Sequence, residues 1–283
     1  MRIGYALLFL LVFATSSAHA IVGSTPDAPT ALIDPNIPSS PFAGVGSVEI
    51  RGNNYSGTLI GLRYVITAAH VVDGVSPASL TFNLNVDGDL SNSLAASAIY
   101  INPGYHGFKP GPDGLVHNDL AIIELSQPVP ANIPIYSLYT WALIPGSVVA
   151  LVGYGNSGDD VNGSVVNASN HIKRVGFNAA DVLLQGSVAS PDVYVFDFDG
   201  STASANFTGG TTLGSTQEAT LGSGDSGSAA LINVNGSWQL VGVNSFVLNF
   251  PHGPTQSGVF GTGGGGQLIS GNHAWIKSLT QRR

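Results

Sequence analysis

Short apolar or alternating runs, each bounded by turn residues, follow one another along this chain. Residues 45–51, 56–60, 64–67, 80–86, 94–101 and 120–125 form a first group. A second comprises 147–152, 171–175, 181–184, 192–198, 229–234 and 238–246. Between them, residues 128–145 hold four prolines and read as a linker. Two sets of about six strands with turn chemistry between them predict an all-β protein of two six-stranded antiparallel barrels. One helix is expected, at the end of the chain. Asn272 is placed to cap it, and Ala274, Trp275, Ile276 and Leu279 give it an apolar face. Residues 26–41 are proline-rich and aperiodic and read as an extended lead-in. Residues 156–170 and 261–266 read as flexible loops.

The start of the chain changes this picture. Met1-Arg2 is a basic opening, an apolar stretch follows, and Ala18-His19-Ala20 supplies the small residues of a signal-peptidase site. Residues 1–20 therefore read as a cleaved leader whose apolar run, 5–14, is too short to span a bilayer, with no better membrane candidate after it. The remaining chain divides at the linker into units 21–135 and 136–283, and the protein is expected outside the cytoplasm, in a periplasm or beyond the cell.

Of the 283 residues, 9% are charged, while glycine is abundant, a composition that suits strands and tight turns. Arg2 leaves with the leader, so eight basic residues face 17 acidic ones, a net charge of −9. Without a basic run, a nucleic-acid surface is not expected. There is no cysteine, so stability must come from the core. The seven histidines show no metal-ligand spacing, and neither metal nor cofactor is expected. Asp87 and Asp89 read as a solvated hairpin tip rather than a calcium site, which needs six or more oxygens. His106, His117 and His252 read as loop or turn residues, and Tyr64, Trp238 and Trp275 as packing residues.

Three stretches carry candidate chemistry. In Thr67-Ala68-Ala69-His70 a strand ends in small residues and an imidazole. In Asn118-Asp119-Leu120-Ala121 a carboxylate precedes an apolar strand, ordinarily the place of a turn cap. In Gly222-Ser223-Gly224-Asp225-Ser226-Gly227 glycines flank a serine, a tight loop that could present its hydroxyl beside converging N–H groups. A serine hydroxyl needs a base within hydrogen-bond reach, and the base needs an acceptor to fix its tautomer. One of each occurs, Asp119 lying 49 residues after His70 and 107 before Ser226.

In these residues, and in Ile21-Val22-Gly23, the chain resembles the trypsin/chymotrypsin family of serine endopeptidases. The resemblance runs from Ile21 to the terminal helix. It implies two barrels with a site between them, Ser226 as nucleophile, His70 as base and Asp119 as its orienting acceptor. It also implies an oxyanion hole from the N–H groups of Gly224 and Ser226, and an ion pair between Asp225 and a free amino group on Ile21. Cleavage after Ala20 would expose that amine, so export and maturation would be one event. Three departures are plain: Val71 and Gly222 stand where the family commonly has cysteine, and Ser228-Ala229 replaces Gly-Pro. The pocket positions are Thr220, Ser245 and Val247, an uncharged and narrowed set that implies small or medium apolar side chains on the acyl side of the cut. Glu218 lies close to them in sequence. Polypeptide substrates and a monomer are expected. The competing reading is a catalytically inactive homologue serving as an exported binding module.

Overall fold

A pair of two-residue turns shows how local sequence builds this architecture. Arg51-Gly52 and Asn235-Gly236 all take positive φ, between 52° and 87°. That is the geometry that closes tight antiparallel hairpins, and Asn and Gly adopt it most easily. The computed structural model describes residues 21–111, 113–186, 190–200 and 202–281. The expected leader, 1–20, lies outside the described residues.

A short strand Val22–Gly23 (β1) and one helical turn Ala28–Ala31 (α1) lead in. Then follow Val45–Ile50 (β2), Asn53–Gly61 (β3), Tyr64–Thr67 (β4), the short helix Ala69–Val72 (α2), Leu80–Leu84 (β5), Asn92–Ile101 (β6) and Ala121–Leu125 (β7). The six strands β2 to β7 close into a barrel in the order β2-β3-β4-β7-β6-β5. Val48, Leu59, Val65, Phe82, Leu84 and Ile123 fill it and are fully buried.

The second half contains Ser137–Leu138 (β8), Ser147–Gly153 (β9), Ser157–Asp159 (β10), Gly163–Val166 (β11), Arg174–Ala180 (β12) and Val182–Leu184 (β13). It continues with Val193–Phe198 (β14), Ala219–Thr220 (β15), Ala229–Val234 (β16), Ser237–Asn249 (β17), Thr262–Leu268 (β18) and the helix Ile269–Thr280 (α3). Its main sheet runs β12-β9-β16-β17-β18-β14-β13, with β8 beside β17, and forms a half-barrel. A seam of buried Val45, Ile66 and Ile122 from the barrel and Val152, Leu231 and Val243 from this sheet joins the halves. The all-β fold with a short terminal helix is as the sequence pattern predicts. Among the described residues, no helix is long and apolar enough to cross a membrane.

Four local expectations are corrected. Residues 156–170 are not a flexible loop but carry the β10–β11 hairpin. Its partner β1 is far away in sequence: Val22 lies opposite both Gly158 and Thr220, giving a sheet β11-β10-β1-β15. Residues 262–266 belong to β18, paired on both edges by β14 and β17. Composition misleads there because the neighbouring strands lie so close. A Cβ on Gly265 would come within 2.2 Å of the Tyr194 carbonyl oxygen, and one on Gly266 within 2.0 Å of that of Val243. The lead-in contains α1 rather than extended chain alone, and it is pinned at Asp34. The Lys173 ammonium lies 3.0 Å from the Asp34 carboxylate and donates to the Phe42 carbonyl at 2.9 Å, all of it buried. Asn272 does not cap α3. It sits one turn inside and is buried, accepting from Asn102 at 2.7 Å and donating to the Leu268 carbonyl at 3.2 Å. Leu268 holds the cap position without a side-chain bond.

Candidate active site

Strand register brings the first two candidates together. In the β4–β7 pair, Thr67 lies opposite Ala121. The chain leaving β4 and the chain entering β7 therefore meet at one end of the barrel. His70, three residues past Thr67, and Asp119, two before Ala121, become neighbours despite a separation of 49 positions. The contact is double. Asp119 Oδ1 accepts the His70 backbone N–H at 2.8 Å, and Oδ2 lies 2.7 Å from Nδ1. The Asp119 side chain is fully buried, whereas the imidazole is 19% exposed. The carboxylate thus fixes the backbone and ring of His70 together, and the ring keeps an open edge.

Ser226 comes from the β15–β16 loop and stands with Oγ 2.8 Å from His70 Nε2. The loop is held by unusually close packing. Gly227 has φ +83°, and a Cβ there would lie 2.0 Å from Thr67 Oγ1 and 2.3 Å from the Ser56 carbonyl oxygen. Only glycine permits both the backbone angle and the approach. Ser56, buried on β3, ties the halves. Its N–H donates to the Ser226 carbonyl at 3.1 Å, and its hydroxyl donates to the Gly224 carbonyl and accepts from the Tyr154 N–H at 3.0 Å. On the far side, Gly227 N–H donates to the Asn244 carbonyl, and the Asn244 amide donates to Ser228 Oγ at 2.7 Å. Gly224 has φ +87°. Its N–H and that of Ser226 are engaged by no protein acceptor among the described residues.

Asp225 points the other way, into the interior. Its carboxylate accepts from Gly222 at 3.0 Å and Gly155 at 3.3 Å. Burial pushes this carboxyl well above the usual carboxylate range, the nearby Arg174 charge opposing. Ile21 is fully buried, and its carbonyl accepts from Ser157 Oγ at 2.7 Å. Gly155 and Ser157, two residues apart, therefore hold Asp225 and Ile21 from one segment. Of the pocket residues, Thr220 and Ser245 are buried, and neither hydroxyl has a protein partner among the described residues. Val247 is partly buried against the core that contains Leu221 and Phe196. Glu218 is also buried. It accepts the N–H groups of Asp199, Gly200 and Leu213, and burial raises it to about 7.

Three residues at the site, Ser56, Asn244 and Phe108, carry no signal along the chain. The Phe108 ring packs at a centroid distance of 4.4 Å from His70. Ser56 drew notice only as part of the 56–60 strand; its partners Gly224 and Ser226 lie 168 and 170 positions away. His117 is likewise more than a loop residue, since both ring nitrogens face carboxylates. Among the described residues, no cluster of potential ligands could hold a metal ion.

A buried carboxylate, an imidazole and a serine hydroxyl in series, set where a six-stranded barrel meets a second β-sheet, define a serine-hydrolase type of site. The trypsin family model matches residues 36–261, most of the chain, and the protein belongs to that family. A solved structure of similar fold is the scabies mite inactivated protease paralogue S-I1. It has 18% sequence identity and a TM-score of 0.57, covering 85% of this chain and 95% of that one.

Proposed function

We propose that the chain is an active, exported serine endopeptidase. The observation that carries this is the unbroken series from Asp119 through His70 to Ser226, with spacings of 2.7 and 2.8 Å. In this reading Ser226 Oγ attacks the scissile carbonyl carbon while His70 Nε2 takes its proton. Asp119 holds Nδ1–H and stabilises the imidazolium that forms. The oxyanion is received by the N–H groups of Gly224 and Ser226, a contribution of roughly 3–4 kcal/mol per donor. His70 returns the proton to the leaving amine, the acyl chain remains on Ser226, and water, activated by the same imidazole, releases it. Thr220, Ser245 and Val247 form an uncharged pocket for small or medium side chains on the acyl side.

Maturation follows from the same reading. Cleavage after Ala20 frees the Ile21 amine, whose cation would ionise Asp225 and fix the loop bearing Gly224. The depth of Asp225 supports this, because a buried carboxylate needs a cationic partner. The competing reading, an inactive exported binder, has its own support in the inactivated state named for the mite paralogue. A serine-directed fluorophosphonate probe separates the two. Labelling of secreted protein that disappears in Ser226→Ala and falls sharply in His70→Ala is expected; an unlabelled wild-type protein refutes the enzyme reading. N-terminal sequencing of the same sample should begin at Ile21, and any other first residue overturns the maturation step.

A further inference from the structure

One face of the β12–β9 pair carries Ile21 and Asp225, the two groups of the maturation step. Arg174 and Gly176 are two apart on β12 and share that face. Over Gly176 lies Ile21: a Cβ there would come within 2.7 Å of Ile21 Cγ2. Arg174 stands opposite Gly153 of β9, and directly opposed residues point their side chains to the same side. Over Gly153 lies Asp225: a Cβ there would come within 2.1 Å of Asp225 Oδ1. Two glycines therefore let Ile21 and the Asp225 carboxylate settle on the sheet beside the Arg174 side chain.

Arg174 is only 3% exposed, a depth at which a cation is ordinarily paired. Its Nε donates to the Pro29 carbonyl at 2.8 Å, and its Nη1 is buried with no hydrogen-bond partner among the described residues. The backbone beside it holds the lead-in as well: Val175 N–H donates to the Leu32 carbonyl at 2.9 Å, and Arg174 itself bridges Ile33. On the elements around it, Lys173 is already paired with Asp34, and Asp159 accepts from Val161 and Asn162. Asp225 is the carboxylate on which the Arg174 charge acts.

We propose that Arg174 is a positioning residue for the nucleophile loop, a buried cation on β12 that holds Asp225 ionised together with the Ile21 amine. The inference rests on the peptidase reading and adds a second charge to its maturation step. An ionised Asp225 accepts with both oxygens, Oδ2 from Gly222 N–H and Oδ1 from Gly155 N–H, and a charged acceptor makes the stronger bonds. These bonds fix the turn 222–225 and with it the direction of the Gly224 N–H; protonation weakens them. Burial is the main cause that raises the Asp225 carboxyl, and the Arg174 charge opposes it. An opposite charge nearby lowers a carboxyl by about 1–3 pH units. Arginine keeps its charge at any working pH, whereas an α-amino group titrates near about 8. The amine therefore depends on leader removal and on pH, and Arg174 depends on neither.

The test reads Asp225 directly, by ¹³C NMR of aspartate-labelled mature protein, with Asp225→Asn to assign the signal. Arg174→Met, which keeps most of the side-chain length and removes the charge, should raise the Asp225 midpoint by about one pH unit. Arg174→Lys should return it most of the way. Fluorophosphonate labelling supplies the functional readout. The ratio of Arg174→Met to wild-type labelling rates should fall about tenfold as pH drops through the variant's midpoint, because the ionised carboxylate is present above it and lost below. A loss of equal size at every pH would mark a structural role alone and overturns the proposal, as does a midpoint that Arg174→Met leaves in place. Should Arg174→Met fail to fold, Arg174→Lys should fold with its midpoint close to wild type; a lysine variant that is unfolded, or whose midpoint rises by a full unit, overturns the proposal too. Wild-type protein that takes no label refutes the peptidase reading, and the Asp225 midpoint still judges Arg174 on its own.

Discussion

Asp119→Asn isolates what the buried carboxylate does. In the wild-type protein its two oxygens meet the His70 N–H at 2.8 Å and Nδ1 at 2.7 Å, inside a fully buried environment. Asparagine keeps the shape and offers one acceptor and one donor group. The acceptor must go to the backbone N–H, because the reverse orientation sets two donors against each other without water, a penalty of about 1–3 kcal/mol. The amide NH₂ then faces Nδ1 and forces it to accept. The ring proton moves to Nε2, which faces Ser226 Oγ at 2.8 Å, so the hydroxyl has lost the base that would take its proton. A wrong-tautomer imidazole of this kind costs about 10⁴ in turnover, equivalent to roughly 5 kcal/mol of barrier. Steady-state hydrolysis of an activated ester and the rate of fluorophosphonate labelling should both fall by that order, while the melting temperature stays close to wild type. Turnover within tenfold of wild type would refute the tautomer argument and with it the role given to Asp119.

Two further predictions concern stability. Lys173→Met strands the Asp34 carboxylate in the interior and should cost about 3–5 kcal/mol, or roughly 6–12 °C in melting temperature for a chain of this size; adding Asp34→Asn should recover much of the loss, and a double variant no better than the single one would contradict the pairing. Burial raises Asp181 to about 6, with the Asp197 charge adding to it, and raises Glu218 to about 7. Carboxyls raised in the folded state bind protons more tightly there than in the unfolded chain, so stability should fall as pH climbs from about 4 through 7. Glu218→Gln should flatten that slope in thermal melts, and an unchanged slope would remove Glu218 as its source.

Much of the barrel was legible because its information is local. Apolar or alternating runs bounded by turn residues mark β2 to β7 to within a few positions. The three chemical stretches were legible for another reason: glycine, serine, histidine and aspartate in those short contexts serve few purposes at once. What sequence reading missed was decided by partners remote along the chain. The glycines of β18 read as a loop until two neighbouring strands approach too closely for any side chain. Residues 156–170 read as a loop until β1 supplies an edge to pair with. Asn272 read as a cap, yet its strongest partner is Asn102, 170 positions earlier.

The amino-acid sequence alone therefore determined the all-β architecture and the identity of the residues that can do chemistry, since both depend on patterns only a few residues long. Tertiary structure alone decided the distances on which reactivity depends. It set Thr67 opposite Ala121, and so His70 beside Asp119; it packed Gly227 against Thr67 and Ser56, and so Ser226 beside His70. It also turned His117 from a loop residue into a bridge between two carboxylates. Hydrogen bonds and close packing act over about 3 Å, and no pattern read along the chain specifies which distant segments will be brought to that separation.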